Sequence, residues 1–293
     1  MKIIKKTALV LFVALISMLL INASSSVSEF KNTEETIVKT LDFCGEKVPM
    51  HIADVQERYD RELTINRNLH ASTELVIKRA NRMFPVMEPI LKKYGVPDDF
   101  KYLAVIESRL ENAVSPAGAR GVWQFMPATA KEYGLEVNEI IDERYHLEKA
   151  TEAACKYLLD AKKRFGSWTM AAASYNGGMA GMTRQMDRQK ATDYYDLLFV
   201  EETSRYVFRI LALKEIMRNP EKYGYNIPQN ELYKPIKTKK ISVSTSVENL
   251  ADWSIEQGIN YKVLKIHNPW LRDISLKNTS GKNYQIEIPT QGY

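Results

Sequence analysis

From about Val55 to Lys222 apolar positions recur three and four residues apart, the spacing that lines one face of a helix. Between Thr73 and Lys93 the series Leu75, Ile77, Ala80, Met83, Val86 and Ile90 predicts one amphipathic helix, broken or kinked near Pro85 or Pro89, where a ring replaces an amide donor. Pro97, Asp98 and Asp99 suit a first helical turn, so a helix is expected from there to Leu110. Further helices are expected over residues 128–133, 147–165, 168–175, 194–199 and 201–218. Residues 24–50 are polar and lack a period, and read as a flexible lead-in.

After Asn219-Pro220 the pattern changes. Pro228 and Pro235 bracket a polar, lysine-bearing stretch that does not continue a helix. The remainder reads as a strand (240–244), two helices (247–257 and 261–268) and a strand (284–288), a small βααβ module. The expected organisation is a lead-in and helical extension (24–72), an all-helical domain (73–222), a linker (223–239) and the module (240–293). The fold class is mainly α.

One position breaks the helical pattern. Phe100, Leu103, Glu107, Leu110 and Val114 share a face at helical spacing, so Glu107 is a carboxylate where an apolar side chain is due. Burial disfavours the charged form, and a carboxyl kept protonated near neutral pH can act as a general acid. An internal ion pair is the alternative use of a buried glutamate.

Composition narrows the setting. Met1-Lys2-Ile3-Ile4-Lys5-Lys6 is basic, an apolar run from Ala8 to Ile21 follows, and small residues come next, the pattern of a secretory signal over 1–23 with cleavage near Ala23. The alternative is an uncleaved anchor, although the run is short of the roughly 20 residues of a membrane span. No cysteine ends the apolar run, so nothing there supports a lipid anchor. An exported protein of the periplasm or cell envelope is expected. Loss of Lys2, Lys5 and Lys6 lowers the formal charge from +5 to +2, and the short run Lys234, Lys237, Lys239, Lys240 reads as a solvated linker. Nucleic acid, which needs a clustered basic footprint, is not an expected partner. Cys44 and Cys155 suffice for one disulfide, with no spacing that implies a framework. His51, His70, His146 and His267 are scattered, so neither a metal site nor a cofactor is expected.

Three more segments carry candidate chemistry. Ser115 to Ala130 contains Gly118, Gly121 and Pro116, which keep the backbone irregular, and then Trp123, Gln124, Phe125 and Met126. Apolar surface beside an amide that donates and accepts suits a sugar, unless Trp123 and Phe125 plug the core and Gln124 caps a helix. Trp168 to Gly178 is a small-residue helix ending in glycines, which puts Tyr175 and Asn176 at a helix end, able to project into a cleft. In Glu201 to Ala212, Val207, Ile210 and Leu211 form the buried stripe, so Tyr206 lies beside it, within reach of Glu107 or inside the core.

The succession Glu107-Ser108, then Gly121-Val122-Trp123-Gln124-Phe125-Met126-Pro127 with Thr129-Ala130, then Ser174-Tyr175-Asn176-Gly177-Gly178, then Glu202-Thr203-Ser204-Arg205-Tyr206, resembles the lytic transglycosylase family over roughly residues 75–220. The resemblance is to its lysozyme-like domain, and closest to the membrane-bound murein transglycosylase D type. It implies a lysozyme-like fold, a peptidoglycan glycan strand as partner, and Glu107 as sole catalytic acid and base. It assigns Ser108, Gln124, Met126, Tyr175, Asn176 and Tyr206 to substrate binding. The implied product is a 1,6-anhydro-N-acetylmuramic acid end, formed without water. Val247 to Ala251 and Val263 to Pro269 resemble a LysM module, a binder of N-acetylglucosamine glycans, although Ser244-Thr245-Ser246 replaces the usual glycine-threonine opening. The family often has alanine where Gly177 stands, and its D type often has a lipid-anchor motif that this chain lacks. A monomer, in transient contact with cell-wall machinery, is expected.

Ordinary glycosidases flank the bond with two carboxylates. Glu111, one helical turn from Glu107, would project from the same side of the same helix, a poor arrangement for flanking a sugar ring. The alternatives are a hydrolytic lysozyme or chitinase, a non-catalytic peptidoglycan-binding protein, and a helical protein-interaction module.

Overall fold

The computed structural model describes residues 41–291, so the expected leader over 1–23 and the lead-in as far as residue 40 lie outside the described residues. The first element is a hairpin of β1 (Asp42–Phe43) and β2 (Glu46–Lys47). Cys44 and Gly45 both have positive φ (56° and 79°), the two-residue turn that matches strand twist. This corrects the irregular reading of residues 41–50. Phe43 is fully buried and meets Phe100 edge to face, so the hairpin plugs the helical core.

Eight helices follow before the module: α1 (Ala53–Asn68), α2 (His70–Tyr94), α3 (Phe100–Ser108), α4 (Pro127–Glu132), α5 (Leu147–Phe165), α6 (Trp168–Gly177), α7 (Met179–Gln189) and α8 (Glu201–Arg218). Helix α8 is central and packs on α1, α3 and α6, while α5 packs on α2 and α6. The alanines of α6, Ala171 to Ala173, are fully buried, and their small side chains bring that helix close to its neighbours. Helix α2 is continuous through Pro85 and Pro89, where the sequence suggests a break. Tyr194–Asp196 forms a 3-10 turn in place of the helix expected over 194–199, and α7 is an element that the sequence reading omitted.

Helix α3 stops sooner than expected. Arg109 and Leu110 are both left-handed (φ 55° and 57°), so the chain turns sharply right after Glu107-Ser108. Leu110 is buried, but Val114 is exposed and shares no helical face with Glu107. Glu111 therefore does not stand on the helix at all. It forms an ion pair with Arg79 of α2.

Residues 225–235 run along α2: Lys78 pairs with Glu231, and Asn81 and Arg82 donate to the carbonyls of Tyr233 and Lys234. The module consists of β3 (Thr238–Val243), α9 (Leu250–Glu256), α10 (Tyr261–His267) and β4 (Tyr284–Pro289), with β3 and β4 antiparallel from Thr238↔Pro289 to Val243↔Tyr284. Its core of Leu250, Leu264, Leu271, Leu276 and Ile286 also takes in Ile141 and Tyr145 from the helical domain. The two parts thus share buried apolar surface.

Candidate active site

Eight of the nine residues of α3 are buried, which makes this short helix a core element carrying one acid near its end. Glu107 itself keeps intermediate exposure, as a group facing a cleft must. The hydroxyl of Tyr206, on α8, donates to its Oε1. Burial pushes the Glu107 carboxyl up to about 7, against the lowering effects of the Tyr206 hydrogen bond and the Arg209 guanidinium. Arg209 is itself engaged by Glu202 (3.0 Å) and the Ile106 carbonyl (3.4 Å). It tempers the field at Glu107 without forming an ion pair that would hold the group ionised.

Beside this acid lies a cleft of about 480 Å³, lined by Gln124, Met126, Tyr157, Arg164, Tyr175 and Asn176 among others. Two other hollows are as large, about 500 Å³ against Ser244, Thr245 and Trp253 on the module and about 680 Å³ along Pro85 and Pro89 of α2. Size does not single out the first; the adjacent Glu107 carboxyl, pushed up by burial, does. Tyr175 connects the two features, since it lines the cleft and lies close enough to Glu107 for the acid's charge to raise its phenol, second only to burial. The hydroxyl of Tyr175 donates to the Trp123 carbonyl (2.8 Å), and its ring packs edge-on against Phe125 and Tyr157.

The loop before α4 forms another wall. Gln124 is left-handed (φ 49°), and its Nε2 donates to the carbonyls of Ala113 (3.1 Å) and Gly121 (2.8 Å). Three of the five non-glycine residues with positive φ among the described residues, Arg109, Leu110 and Gln124, thus lie at the ends of the segments flanking the acid. Such conformations cost energy and persist where surrounding contacts over-determine them. Trp123 points into the core, fully buried, with Nε1 donating to Thr151 Oγ1 (2.9 Å), whereas Met126 is exposed at the cleft.

The candidate residues fall into two groups. Gln124, Met126, Tyr175 and Asn176 line the cleft, and Glu107 with the buried Tyr206 forms a hydrogen-bonded pair next to it. Ser108 belongs to neither: it is buried, and its Oγ lies 2.7 Å from the Val122 carbonyl and 3.2 Å from that of Ala104, tying α3 to the loop. Asn176 is held by Thr203, whose Oγ1 donates to its Oδ1 (2.8 Å). Arg209, Thr203 and Tyr157 have roles that the sequence reading did not assign, although the first two lie in the quoted 201–212 segment. Cys44 and Cys155 are both free thiols.

Residues 85–198 match the family described as the transglycosylase SLT domain, and residues 239–292 match the soluble lytic transglycosylase C-terminal LysM-like domain. The chain carries an SLT domain followed by a LysM-like module. The matched part of the SLT domain holds Glu107, Gln124, Tyr175 and Asn176 but stops short of Tyr206, which only the packing of α8 brings to the acid. The chain is 27% identical over 253 residues to membrane-bound lytic murein transglycosylase D of Escherichia coli (strain K12), covering 84% of this chain and 55% of that protein. It is 29% identical over 132 residues to a putative tributyltin chloride resistance protein of Alteromonas sp. (strain M-1), covering 43% of this chain and 64% of that one. Against membrane-bound lytic murein transglycosylase F of Salmonella typhi it is 27% identical over 125 residues, 39% of this chain and 25% of that one. The chain spans about half the length of the D relative. Among the described residues no helix is long and apolar enough to cross a membrane.

Proposed function

We propose that the protein is a peptidoglycan lytic transglycosylase of the cell envelope that cleaves the β1,4 bond from N-acetylmuramic acid to N-acetylglucosamine, with Glu107 as both acid and base. The observation that carries the reading is a partly buried carboxyl, pushed up to about 7 and hydrogen-bonded by a neutral phenol, beside a cleft that mixes aromatic and amide groups. In the first step protonated Glu107 gives its proton to the glycosidic oxygen, and the bond to the muramic C1 breaks. In the second, ionised Glu107 takes the proton of the muramic 6-hydroxyl, whose oxygen closes on C1. The acid ends protonated, water is not consumed, and the product is a 1,6-anhydro end. Tyr206 steadies the ionised state between the two steps by its hydrogen bond.

The carboxylates nearest in the chain support a one-acid scheme. Glu111 is exposed and paired with Arg79, and Glu202 is exposed and paired with Arg209. A hydrolytic reading would have to recruit Glu202, whose charge reaches Glu107, or Glu132, which lines the cleft. Mass spectrometry of fragments released from purified peptidoglycan separates the readings. Anhydro-muropeptides one water lighter than hydrolytic products, absent with Glu107→Gln, are the expected result. Reducing ends would overturn the non-hydrolytic step, and no release by the unaltered protein would overturn the enzyme assignment. We extend the proposal to glycan binding by the LysM-like module, whose groove presents Ser244, Thr245 and Trp253.

A further inference from the structure

Arg144 lies outside the cleft, yet it is 3% exposed and all its nitrogens are committed. Its Nε and Nη2 donate to the two oxygens of buried Asp142 (2.8 and 2.7 Å), and its Nη1 donates to the carbonyls of Gly118 (3.0 Å) and Phe125 (3.1 Å). Those carbonyls belong to the two ends of the loop that presents Gln124, Phe125 and Met126 to the cleft. The seat is tight, since a Cβ added at Gly121 would lie 1.9 Å from the Arg144 carbonyl oxygen. On its other side the same segment is bound by the LysM-like module. Asp142 N donates to the Trp270 carbonyl (2.9 Å), Arg272 N donates to the Ile140 carbonyl (2.7 Å), and Ile141 pairs with Leu271 as an antiparallel bridge. The Arg272 guanidinium lies 4.4 Å from the centre of the Tyr145 ring, and Lys282 reaches Glu136 (2.6 Å) and Glu143 (3.5 Å).

We propose that the LysM-like module braces the cleft loop through the Asp142–Arg144 pair, which makes Arg144 a positioning residue for the glycan cleft and the module a part of its architecture. The path is continuous: module edge, residues 140–145, Arg144, the carbonyls of Gly118 and Phe125, then the cleft wall. Ser108, Thr151 and Tyr175 tie the middle of the loop, Val122 and Trp123, to α3, α5 and α6, whereas the Arg144 fork holds its two ends, at Gly118 and Phe125. The kinetic part of this inference rests on the function proposed above; the structural part does not.

The test uses the full chain with Lys282→Glu and Arg272→Glu together, both at exposed positions, so that the module keeps its own core while facing Glu136 and Glu143 with like charge. Amide hydrogen exchange should accelerate about tenfold over residues 113–126 and stay unchanged in α6 and α8. Unchanged exchange over 113–126 overturns the brace. With peptidoglycan as substrate, KM should rise roughly fivefold with kcat held within about twofold, because the acid is untouched. Arg144→Lys, which keeps the charge but loses the fork, should raise KM further, and adding the module substitutions to it should change KM little more. Additive effects on KM would mean that the two act separately, and would overturn the path through Arg144. An unaltered protein that cleaves nothing would sink the proposed activity alone, since the exchange result stands without it.

Discussion

The acid site and the segment that carries the module both take carboxylates out of water, and they treat them in opposite ways. Asp142 and Glu143 are each 2% exposed and answered by cations, Arg144 for the first and Lys149 and Lys282 for the second. Buried Glu62 and Asp99 likewise have Arg205 and Lys214. Glu107 instead has a phenol, and the nearby arginine is turned to Glu202 and a backbone carbonyl. A buried charge with its counter-ion holds a structure in register, whereas a partly buried acid with a neutral partner keeps its proton available. Glu107 thus differs from the paired carboxylates in its partner, as the proposed acid role requires.

Substitutions sharpen that contrast in decreasing order of effect. Glu107→Gln should lower the rate of glycan cleavage by about 10³-fold or more with the fold intact, as removal of a general acid does; a variant retaining most of its rate would end the assignment. At the other site Asp142→Ala should cost stability and not chemistry. Leaving Arg144 buried without its partner is worth roughly 3 kcal/mol, read as a lower urea midpoint, and a midpoint that did not move would show the pair to be ornamental.

Protonation distinguishes the two regions as well. Glu107 titrates near 7 in the folded chain against an ordinary value of 4.5, so between those pH values the folded state holds a proton that the unfolded state has released. Stability from this group is therefore lost as pH rises from about 4.5 to 7. Glu107→Gln should then be more stable than the unaltered chain by about 3 kcal/mol at pH 8 and no more stable at pH 4. A gain independent of pH would contradict the burial argument. The same titration predicts a fall in kcat/KM above about pH 7, as the acid loses its proton.

Tyr206→Phe removes a bond that favours the ionised acid, so the alkaline limb of the pH profile should move upward, with kcat reduced about tenfold. A limb that moved downward would mean that Tyr206 supports the protonated form. The smallest effect belongs to Lys240→Ala, which breaks an exposed pair with Glu148 (2.7 Å) at the edge of the module and should change stability by under about 1 kcal/mol.

Much of the helical domain was legible because its signals are local. Helices over 147–165 and 201–218 match the structure to the residue, since periodic apolar faces and terminal glycine or charge specify them without help from distant partners. The hairpin at Asp42 to Lys47 was not legible, because two residues per strand leave no period and the burial of Phe43 depends on Phe100, far along the chain. Nor was the early end of α3, because left-handed Arg109 and Leu110 carry no glycine to announce them. That end removes Glu111 from the helix, so the argument against it as a second carboxylate now rests on its pairing with Arg79.

The chain's local chemistry determined by itself that a mainly helical domain precedes a βααβ module, that Glu107 interrupts an apolar face, and that Gln124, Tyr175 and Asn176 stand at loops and helix ends. Only the tertiary structure decided which of them meet. It turned Ser108 inward, buried Trp123 in the core and brought Tyr206 to an acid 99 residues earlier in the chain. It also seated the module against Ile140, Ile141 and Asp142 through backbone bonds that any side chain allows. The physical reason is the same in each case: periodicity and capping act within a few residues, while desolvation, hydrogen-bond geometry and charge pairing are properties of neighbours in space.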